Sequence, residues 1–151
     1  MNQAVIKSPI GKLLLEETNG KLTKCLPTNK NTTNKIQSPT LKKAKIAIEK
    51  YFGGNTYSLA KVPILLSGTD FQLKVWNGIK KIKHGKTKSY SELAKSIKKE
   101  KAIRAVGTAC GKNPLLLFIP CHRVVAKNNK LGGFSAGIEK KSFLLTHEGK
   151  E

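Results

Sequence analysis

The apolar run at residues 115–119, and the proline that ends it, constrain this chain more than any other stretch. Such a run predicts a short buried strand. Pro120 fixes its own φ and lacks an N–H, so the chain has to turn there and present the thiol of Cys121 where a core strand meets a loop. The neighbouring cations His122 and Arg123 favour a lowered cysteine pKa and a reactive thiolate. Alternatively, Cys121 is a buried apolar filler, as most free cysteines are.

A strongly basic composition points to an anionic partner. The 151 residues carry a formal charge of +20 and suit one domain or two small units. Such an excess favours a polyanion through counterion release, although a lysine-rich solvated surface is the plainer interpretation. Only Arg104 and Arg123 are arginine, the planar cation that stacks and forms forked bonds.

Several protein classes are disfavoured by what the sequence lacks. Its three cysteines have neither the spacing of a disulfide framework nor that of a zinc site. No stretch has the length of a membrane span, and the N-terminus lacks the apolar core of a secretory signal. We therefore expect a soluble monomer in the cytoplasm (at the nucleoid in a prokaryote), with no metal, no cofactor and no membrane partner.

Residues 1–66 are predicted to form an α/β scaffold domain. Short apolar segments within residues 4–25, with a turn at Asn19-Gly20, predict a small antiparallel sheet. Residues 26–39 are polar and predict a loop. A helix follows and ends at Gly53-Gly54. Its buried face is predicted to consist of Leu41, Ala44, Ile48 and Phe52.

Residues 67–151 are predicted to form a mainly helical second domain, which makes the fold class α+β. Thr69 with Gln72, and Ser89 with Glu92, are capping boxes that begin two helices. The first of these is predicted to end at His84-Gly85. A third helix over residues 102–110 follows a lysine-rich turn, so the last two helices resemble a winged helix-turn-helix DNA-binding unit.

The predicted third helix has two distinct faces. The inward face consists of Ile103, Val106 and Cys110. The opposite face carries Ala105, Thr108 and Lys112, with Arg104 on the flank. A surface of small residues can approach a nucleic-acid groove closely, although it equally suits close helix packing. The flanking lysines and Arg104 favour the DNA interpretation.

The C-terminal stretch combines an extended segment, a loop and a helix. Residues 123–125 continue extended, and residues 127–130 form a polar turn. The glycine-rich loop at 131–137 carries Phe134 and forms either a pocket wall or a flexible connector. A last helix over residues 138–147 ends at Glu148-Gly149.

Taken in order, several blocks of this sequence resemble the O6-alkylguanine-DNA alkyltransferases. The resemblance runs from about residue 60 to residue 149. It is carried by Gly68-Thr69-Asp70-Phe71-Gln72, Val75-Trp76, Ser89-Tyr90, Arg104-Ala105-Val106-Gly107, Asn113-Pro114, Ile119-Pro120-Cys121-His122-Arg123-Val124 and Leu144-Leu145-Thr146-His147-Glu148-Gly149.

The resemblance implies DNA repair by direct reversal. The alkyl group of O6-alkylguanine in double-stranded DNA would pass irreversibly to a cysteine in a single turnover, after the nucleotide is flipped out; O4-alkylthymine is left open as a substrate. The implied catalytic residues are Cys121, His122, Glu148, Tyr90 and Asn113. The implied DNA-binding residues are Arg104, Ala105, Gly107, Thr108, Tyr90 and Arg123. The implied pocket residues are Phe134, Ser135 and Val124.

Two details refine this expectation. Cys121 and His122 are adjacent, so in extended chain their side chains point apart and a water-bridged relay is expected. Ala136 interrupts the family's usual glycine pair, which is expected to disfavour bulky adducts.

Two other functions are weighed. One is a protein that flags the lesion without chemistry, which would lack the acceptor cysteine. The other is a winged-helix regulator, and the small residues of the third helix argue against it.

Overall fold

Short apolar segments separated by tight turns make the N-terminal part of the chain an antiparallel sheet. The computed structural model describes residues 2–127 and 130–149. Strands β1 (Asn2–Ile6), β2 (Leu13–Thr18) and β3 (Lys21–Pro27) pair in sequence order. Asn19 and Gly20 both have positive φ, 51° and 79°, as a tight hairpin turn requires. The predicted sheet is confirmed.

One helix packs on this sheet. Helix α1 (Pro39–Phe52) begins at Ser38, whose side chain accepts a hydrogen bond from the Leu41 amide. Gly53 caps its end. Phe52, which was predicted on the buried face, is only partly buried; the fully buried aromatic of this helix is Tyr51.

The apolar run at 115–119 is buried, but the predicted strand is wrong. Its contact with β3 is a single parallel bridge between Cys25 and Leu115. Beyond that bridge the segment is a turn, in which Leu117 has a φ of 75°. A left-handed residue in the middle of the run prevents a continuous ladder, since strands require φ well below zero.

The chain divides into two compact units. The first contains the residues up to 67 together with 114–118, and the second contains 68–113 together with the residues from 119 onwards. Our domain ranges 1–66 and 67–151 remain a prediction, and the structure assigns residues 114–118 to the first unit. Among the described residues, no helix combines the length and the apolar character that crossing a membrane requires.

Helices dominate the second unit. Within the described ranges they are α2 (Asp70–Lys80), α3 (Tyr90–Ser96), α4 (Ile103–Gly111) and α5 (Ile138–His147). Both predicted capping boxes are present, at the starts of α2 and α3. The predicted end of α2 at His84-Gly85 is wrong. Helix α2 ends at Lys80, because the amides of Lys81 and Ile82 bond three residues back and tighten the last turn.

Helices α3 and α4, joined by residues 97–102, follow one another as predicted. Two short strands, β4 (Lys88–Ser89) and β5 (Val124–Val125), pair in parallel beside them. Val106 and Cys110 face inward, but the prediction for Ile103 is wrong, since it is 41% exposed. As the first residue of α4, Ile103 leans beyond the helix end, because helical side chains tilt towards the N-terminus. The α+β class is confirmed by the sheet and the helices together.

Candidate active site

A tight turn at Pro120 sets the position of Cys121. Pro120 has φ −77° and ψ 65°, the geometry of an inverse γ-turn, and the Cys121 amide donates to the Ile119 carbonyl over 2.7 Å. A 3₁₀-helix, Cys121–Arg123, follows directly. The expectation of extended chain at Cys121 and His122 is therefore wrong, because the Arg123 amide bonds back to the Pro120 carbonyl at 2.9 Å.

The thiol of Cys121 borders a cavity of about 150 Å³ within the second unit. Its walls come from the start of α3, the C-terminal half of α4 and the glycine-rich loop. The lining residues that bear on the chemistry are Tyr90, Gly107, Cys110, Cys121, Phe134 and Ser135. Phe134 and Ser135 thus lie where the sequence placed them, whereas Val124 is fully buried and is not among the lining residues.

Beside the cysteine, His122, Arg123 and Glu148 form a buried polar network. The Nε2 atom of His122 lies 2.8 Å from the Oε2 atom of Glu148. Arg123 donates twice to the same carboxylate, from Nε at 2.8 Å and Nη2 at 2.9 Å, and from Nη1 to the Ile82 carbonyl at 2.7 Å. Its side chain is only 11% exposed. Arg123 is thus paired with Glu148 and little exposed, and its role in DNA binding stays a prediction.

Burial keeps His122 neutral. Desolvation lowers the pKa of His122 below its ordinary 6.5, and the hydrogen bond that Glu148 accepts opposes that shift without reversing it. An ionised carboxylate only accepts hydrogen bonds, so the proton of a neutral His122 lies on Nε2. The other ring nitrogen, Nδ1, is buried and has no hydrogen-bond partner among the residues that the structure describes. It is therefore available as a proton acceptor.

Asn113 connects α4 to the cysteine turn. Its amide Nδ2 donates to the Ile119 carbonyl over 2.7 Å, and the side chain is almost wholly buried. The Asn113 side chain also forms a hydrogen bond that lowers the pKa of Cys121. The predicted site residue Asn113 is thus in contact with the sulfur of Cys121.

The electrostatics of Cys121 differ from the sequence prediction. Burial raises the pKa of Cys121 above its ordinary 9.0, and the hydrogen bond from Asn113 and the charge of Lys141 oppose that shift. The prediction that His122 and Arg123 lower this pKa is wrong. His122 is held neutral and Arg123 is paired with Glu148, so the nearby cation is Lys141 instead.

Lys141 is the site residue that sequence reasoning missed. It is completely buried, and its Nζ donates to the carbonyls of Val124 at 2.6 Å and Gly133 at 3.0 Å. The same Nζ lies 6.0 Å from the centre of the Tyr90 ring. Burial lowers the pKa of Lys141, and the two cysteines at the cavity oppose that shift. The available signal was spacing, since Lys141 precedes Leu144 and Leu145 by three and four residues on the buried face of α5.

Tyr90 projects its ring to the cavity from the first residue of α3. Burial, and then the nearby Cys110 and Cys121, raise the pKa of Tyr90, so its phenol stays protonated. The backbone of Gly132 passes close to this ring at a φ of 74°. A Cβ there would lie 3.1 Å from Cε2 of Tyr90 and 3.2 Å from Oη, and a side chain is strained at this φ, so the position favours glycine.

The remaining predicted residues lie on α4. Arg104, Ala105 and Thr108 are exposed, and the Thr108 hydroxyl donates to the Arg104 carbonyl at 3.2 Å. Gly107 borders the cavity. This helix therefore reaches from the cavity to an open, small-residue surface that carries one arginine.

Comparison with known proteins agrees with this geometry. The family described as "6-O-methylguanine DNA methyltransferase, DNA binding domain" matches residues 70–150. The methylated-DNA–protein-cysteine methyltransferase of Methanosarcina acetivorans is 39% identical over 159 residues, which covers 99% of each chain. The Haemophilus influenzae protein of the same name is 36% identical over 147 residues, covering 93% of this chain and 82% of the relative.

Solved structures show the same likeness along the whole chain. The Mycobacterium tuberculosis OGT, solved in complex with DNA, superposes with a TM-score of 0.87 at 37% identity and covers 98% of this chain and 92% of its own. The cysteine turn and the cavity described above lie within the matched region. The chain belongs to the methylated-DNA–protein-cysteine methyltransferases.

Proposed function

We propose that this protein repairs O6-alkylguanine in double-stranded DNA by moving the alkyl group onto Cys121 in a single turnover. The observation that carries the proposal is the position of the Cys121 thiol, at a cavity shared with Tyr90 and next to the buried His122–Glu148 pair. One cavity thus holds a sulfur acceptor and a phenol proton donor. All these residues belong to one chain, which supports action as a monomer.

The damaged base has to leave the duplex to reach this thiol. Its O6 lies inside the base stack, and extrusion of the nucleotide costs about a few kcal/mol. Arg104 is an exposed planar cation on the flank of α4 and is suited to fill the gap that the base leaves. The adjoining surface consists of the small residues Ala105, Gly107 and Thr108, whose short side chains allow α4 to approach a DNA groove closely. The DNA complex of the tuberculosis relative supports DNA as the partner.

In the chemical step, a sulfur–carbon bond replaces a carbon–oxygen bond. The thiol proton passes, directly or through water, to the Nδ1 lone pair of His122, and Glu148 stabilises the resulting imidazolium. The thiolate of Cys121 attacks the saturated alkyl carbon, and the electron pair of the broken bond goes to the guanine oxygen. Tyr90 gives its phenolic proton to the departing base and is reprotonated from the imidazolium. The net products are guanine and an S-alkylcysteine.

The product thioether is stable, which accounts for a single turnover. Removing the alkyl group would require a second nucleophile and a sulfur leaving group. The other thiol at the cavity, Cys110, is kept protonated by burial, which raises its pKa to about 12. A protonated thiol is a poor nucleophile, so Cys110 does not take the alkyl group onward.

Peptide mass mapping tests the proposal directly. After reaction with a duplex containing O6-methylguanine, one methyl group is expected on the peptide with Cys121, and Cys121→Ala is expected to abolish transfer. Cys110→Ala is the matched control, since it removes a thiol from the same cavity and should retain transfer. Unchanged protein mass with tight binding to the lesion would instead favour a protein that flags damage. A parallel duplex with O4-methylthymine tests the second substrate.

Arg104→Ala separates base extrusion from chemistry. We expect the variant to slow repair in duplex DNA by at least about 10-fold, on the scale of the extrusion cost. Reaction with free O6-benzylguanine needs no extrusion and should be unchanged. Equal slowing on both substrates would mean that Arg104 has a structural role only.

A further inference from the structure

A second basic surface lies in the first unit, on the outward side of α1. We call it the α1 ridge and define it by Lys42, Lys43, Lys45, Ile46 and Lys50. All five are exposed, and Ile46 exposes 50% of its surface. The opposite face of α1 is buried. The ridge is therefore a solvent-facing strip that the fold of the first unit does not use.

Two cavities run along the sides of this ridge, and Ile46 borders both. One has a volume of about 260 Å³ and includes Lys43, Lys50 and Lys61 in its walls. The other has a volume of about 360 Å³ and includes Lys35, Lys42 and Lys45, with Glu49 as its acidic residue. Six lysines against one carboxylate make both depressions strongly positive.

The charges of the ridge are not neutralised within the protein. In the part of the chain that the structure describes, none of these six lysines forms an ion pair. Lys43 and Lys50 are seven residues apart, about 10 Å along the helix axis. Over the same length of duplex axis, one strand presents about three phosphates. The spacing suits a duplex whose axis runs along α1.

A membrane surface is a poorer match for the ridge. An interfacial helix has to insert a broad apolar face among the lipids. The apolar face of α1, which includes Leu41, Ile48 and Tyr51, is buried in the first unit, and the ridge offers Ile46 alone. A positively charged surface that has no apolar face to insert into lipid is better suited to the phosphates of a nucleic acid.

We propose that the α1 ridge is a further DNA-binding surface that contacts the phosphate backbone irrespective of sequence and damage. The choice of duplex DNA as its occupant rests on the proposed function, whereas the surface itself is defined by the first unit alone. Its role would be to retain the protein on undamaged DNA between encounters with damaged bases. Such contacts are electrostatic and therefore depend steeply on salt.

The test compares two triple variants with the same loss of charge. The ridge variant carries Lys43→Gln, Lys45→Gln and Lys50→Gln. The matched variant carries Lys7→Gln, Lys21→Gln and Lys30→Gln, all exposed lysines of the first unit outside both cavities. Binding to an undamaged duplex is measured against salt concentration, and transfer from free O6-benzylguanine is measured in parallel.

We expect the salt slope of the ridge variant to fall by about 0.9 for each lost phosphate contact. Affinity for undamaged DNA should fall by about 10-fold or more, and Arg at the same three positions should restore it. The matched variant should change little, and free-base transfer should be the same in all proteins. Transfer from the free base measures the proposed function. Absence of transfer in every protein would therefore refute that function, whereas the DNA-binding measurements would still test the ridge.

Two results would overturn the ridge proposal. The first is equal salt slopes in the ridge and matched variants, which would mean that DNA affinity depends on the net charge of the protein and not on the position of the lysines. The second is a ridge variant that binds DNA normally but loses binding to vesicles of phosphatidylserine and phosphatidylcholine. An unchanged thermal unfolding midpoint establishes that each variant is folded.

Discussion

Buried polar side chains have different surroundings in the two units. In the first unit, the hydroxyl of Ser38 donates to Glu17 at 3.2 Å, and that of Ser58 donates to the Ala47 carbonyl at 2.8 Å. These bonds tie α1 to the strand and the loop beside it. In the second unit the buried polar residues lie around the turn that carries Cys121. They are Asn113, His122, Lys141 and Glu148. Burying polar groups costs free energy in both units, but in the second unit the buried polar residues belong to the candidate site.

The same contrast separates two cysteines that are both buried. Burial raises the pKa of Cys25 to about 12, and nothing opposes it. Burial also raises the pKa of Cys121, but Asn113 and Lys141 oppose it. Polar neighbours therefore distinguish the thiol of Cys121 from the core thiol of Cys25, although both are buried. The difference is open to direct tests.

Removing the charge of Glu148 should have the largest effect. Glu148→Gln leaves the guanidinium of Arg123 buried without a counter-charge, which costs about 3 kcal/mol or more of unfolding free energy. Transfer should fall as well, because His122 loses the group that stabilises its protonated form. Urea denaturation at constant pH measures the first effect, and a loss below about 1 kcal/mol would contradict it.

Glu17→Gln in the first unit is the matched control. Glu17 is also buried, but its partners are the neutral side chains of Asn2 and Ser38. We expect a loss of about 1 kcal/mol, typical of a hydrogen bond that is weakened without leaving a charge unpaired. Transfer should be unaffected. Slowed transfer in this variant would contradict the assignment of a purely structural role to Glu17.

Tyr90→Phe should slow transfer by about 100-fold, the usual worth of a general acid. The fold should persist, because the ring that packs at the cavity is retained. Single-turnover kinetics with an O6-methylguanine duplex provide the measurement. Tyr51→Phe, a buried tyrosine of the first unit, is the comparison and should affect stability but not the rate. An unchanged rate for Tyr90→Phe would assign the proton to another donor.

Lys141→Met should slow transfer by about 10-fold, because a smaller thiolate fraction at Cys121 reduces the rate of attack. The charge of Lys141 lowers the pKa of Cys121, so its removal raises that pKa further and shifts the pH–rate profile towards higher pH. Lys140→Met, at the neighbouring and partly exposed position, should leave the profile in place. A lower rate with no shift in the profile would mean that Lys141 acts only by packing.

The smallest expected effect is a pH dependence of stability from His122. Its pKa is lowered on folding, so below the ordinary value of 6.5 the unfolded state binds more protons. Stability is therefore complete above about pH 6.5 and falls as the pH drops, by at most about 1.4 kcal/mol per pH unit. His122→Gln should show a shallower fall between about pH 7 and pH 5. Parallel curves for the two proteins would refute this assignment.

Local signals in the sequence were sufficient for much of the fold. The capping boxes at Thr69 and Ser89 and the hairpin at Asn19 are present as predicted. Each depends on residues at most a few positions apart, so the sequence displays them directly. The strand prediction for residues 115–119 was wrong, because an apolar run indicates burial but does not distinguish a buried strand from a buried turn.

The motif around Cys121 indicated the candidate site residues by their kinds and order, which are visible in the chain. Their energetics depend on contacts over long sequence separations. His122 meets Glu148 across 26 positions, and Lys141 bonds the Val124 carbonyl across 17. Burial set the direction of the pKa shift of Cys121 and made Lys141 its nearby cation. Burial and distance exist only in the folded chain, and for that reason no pattern of neighbouring letters could assign them.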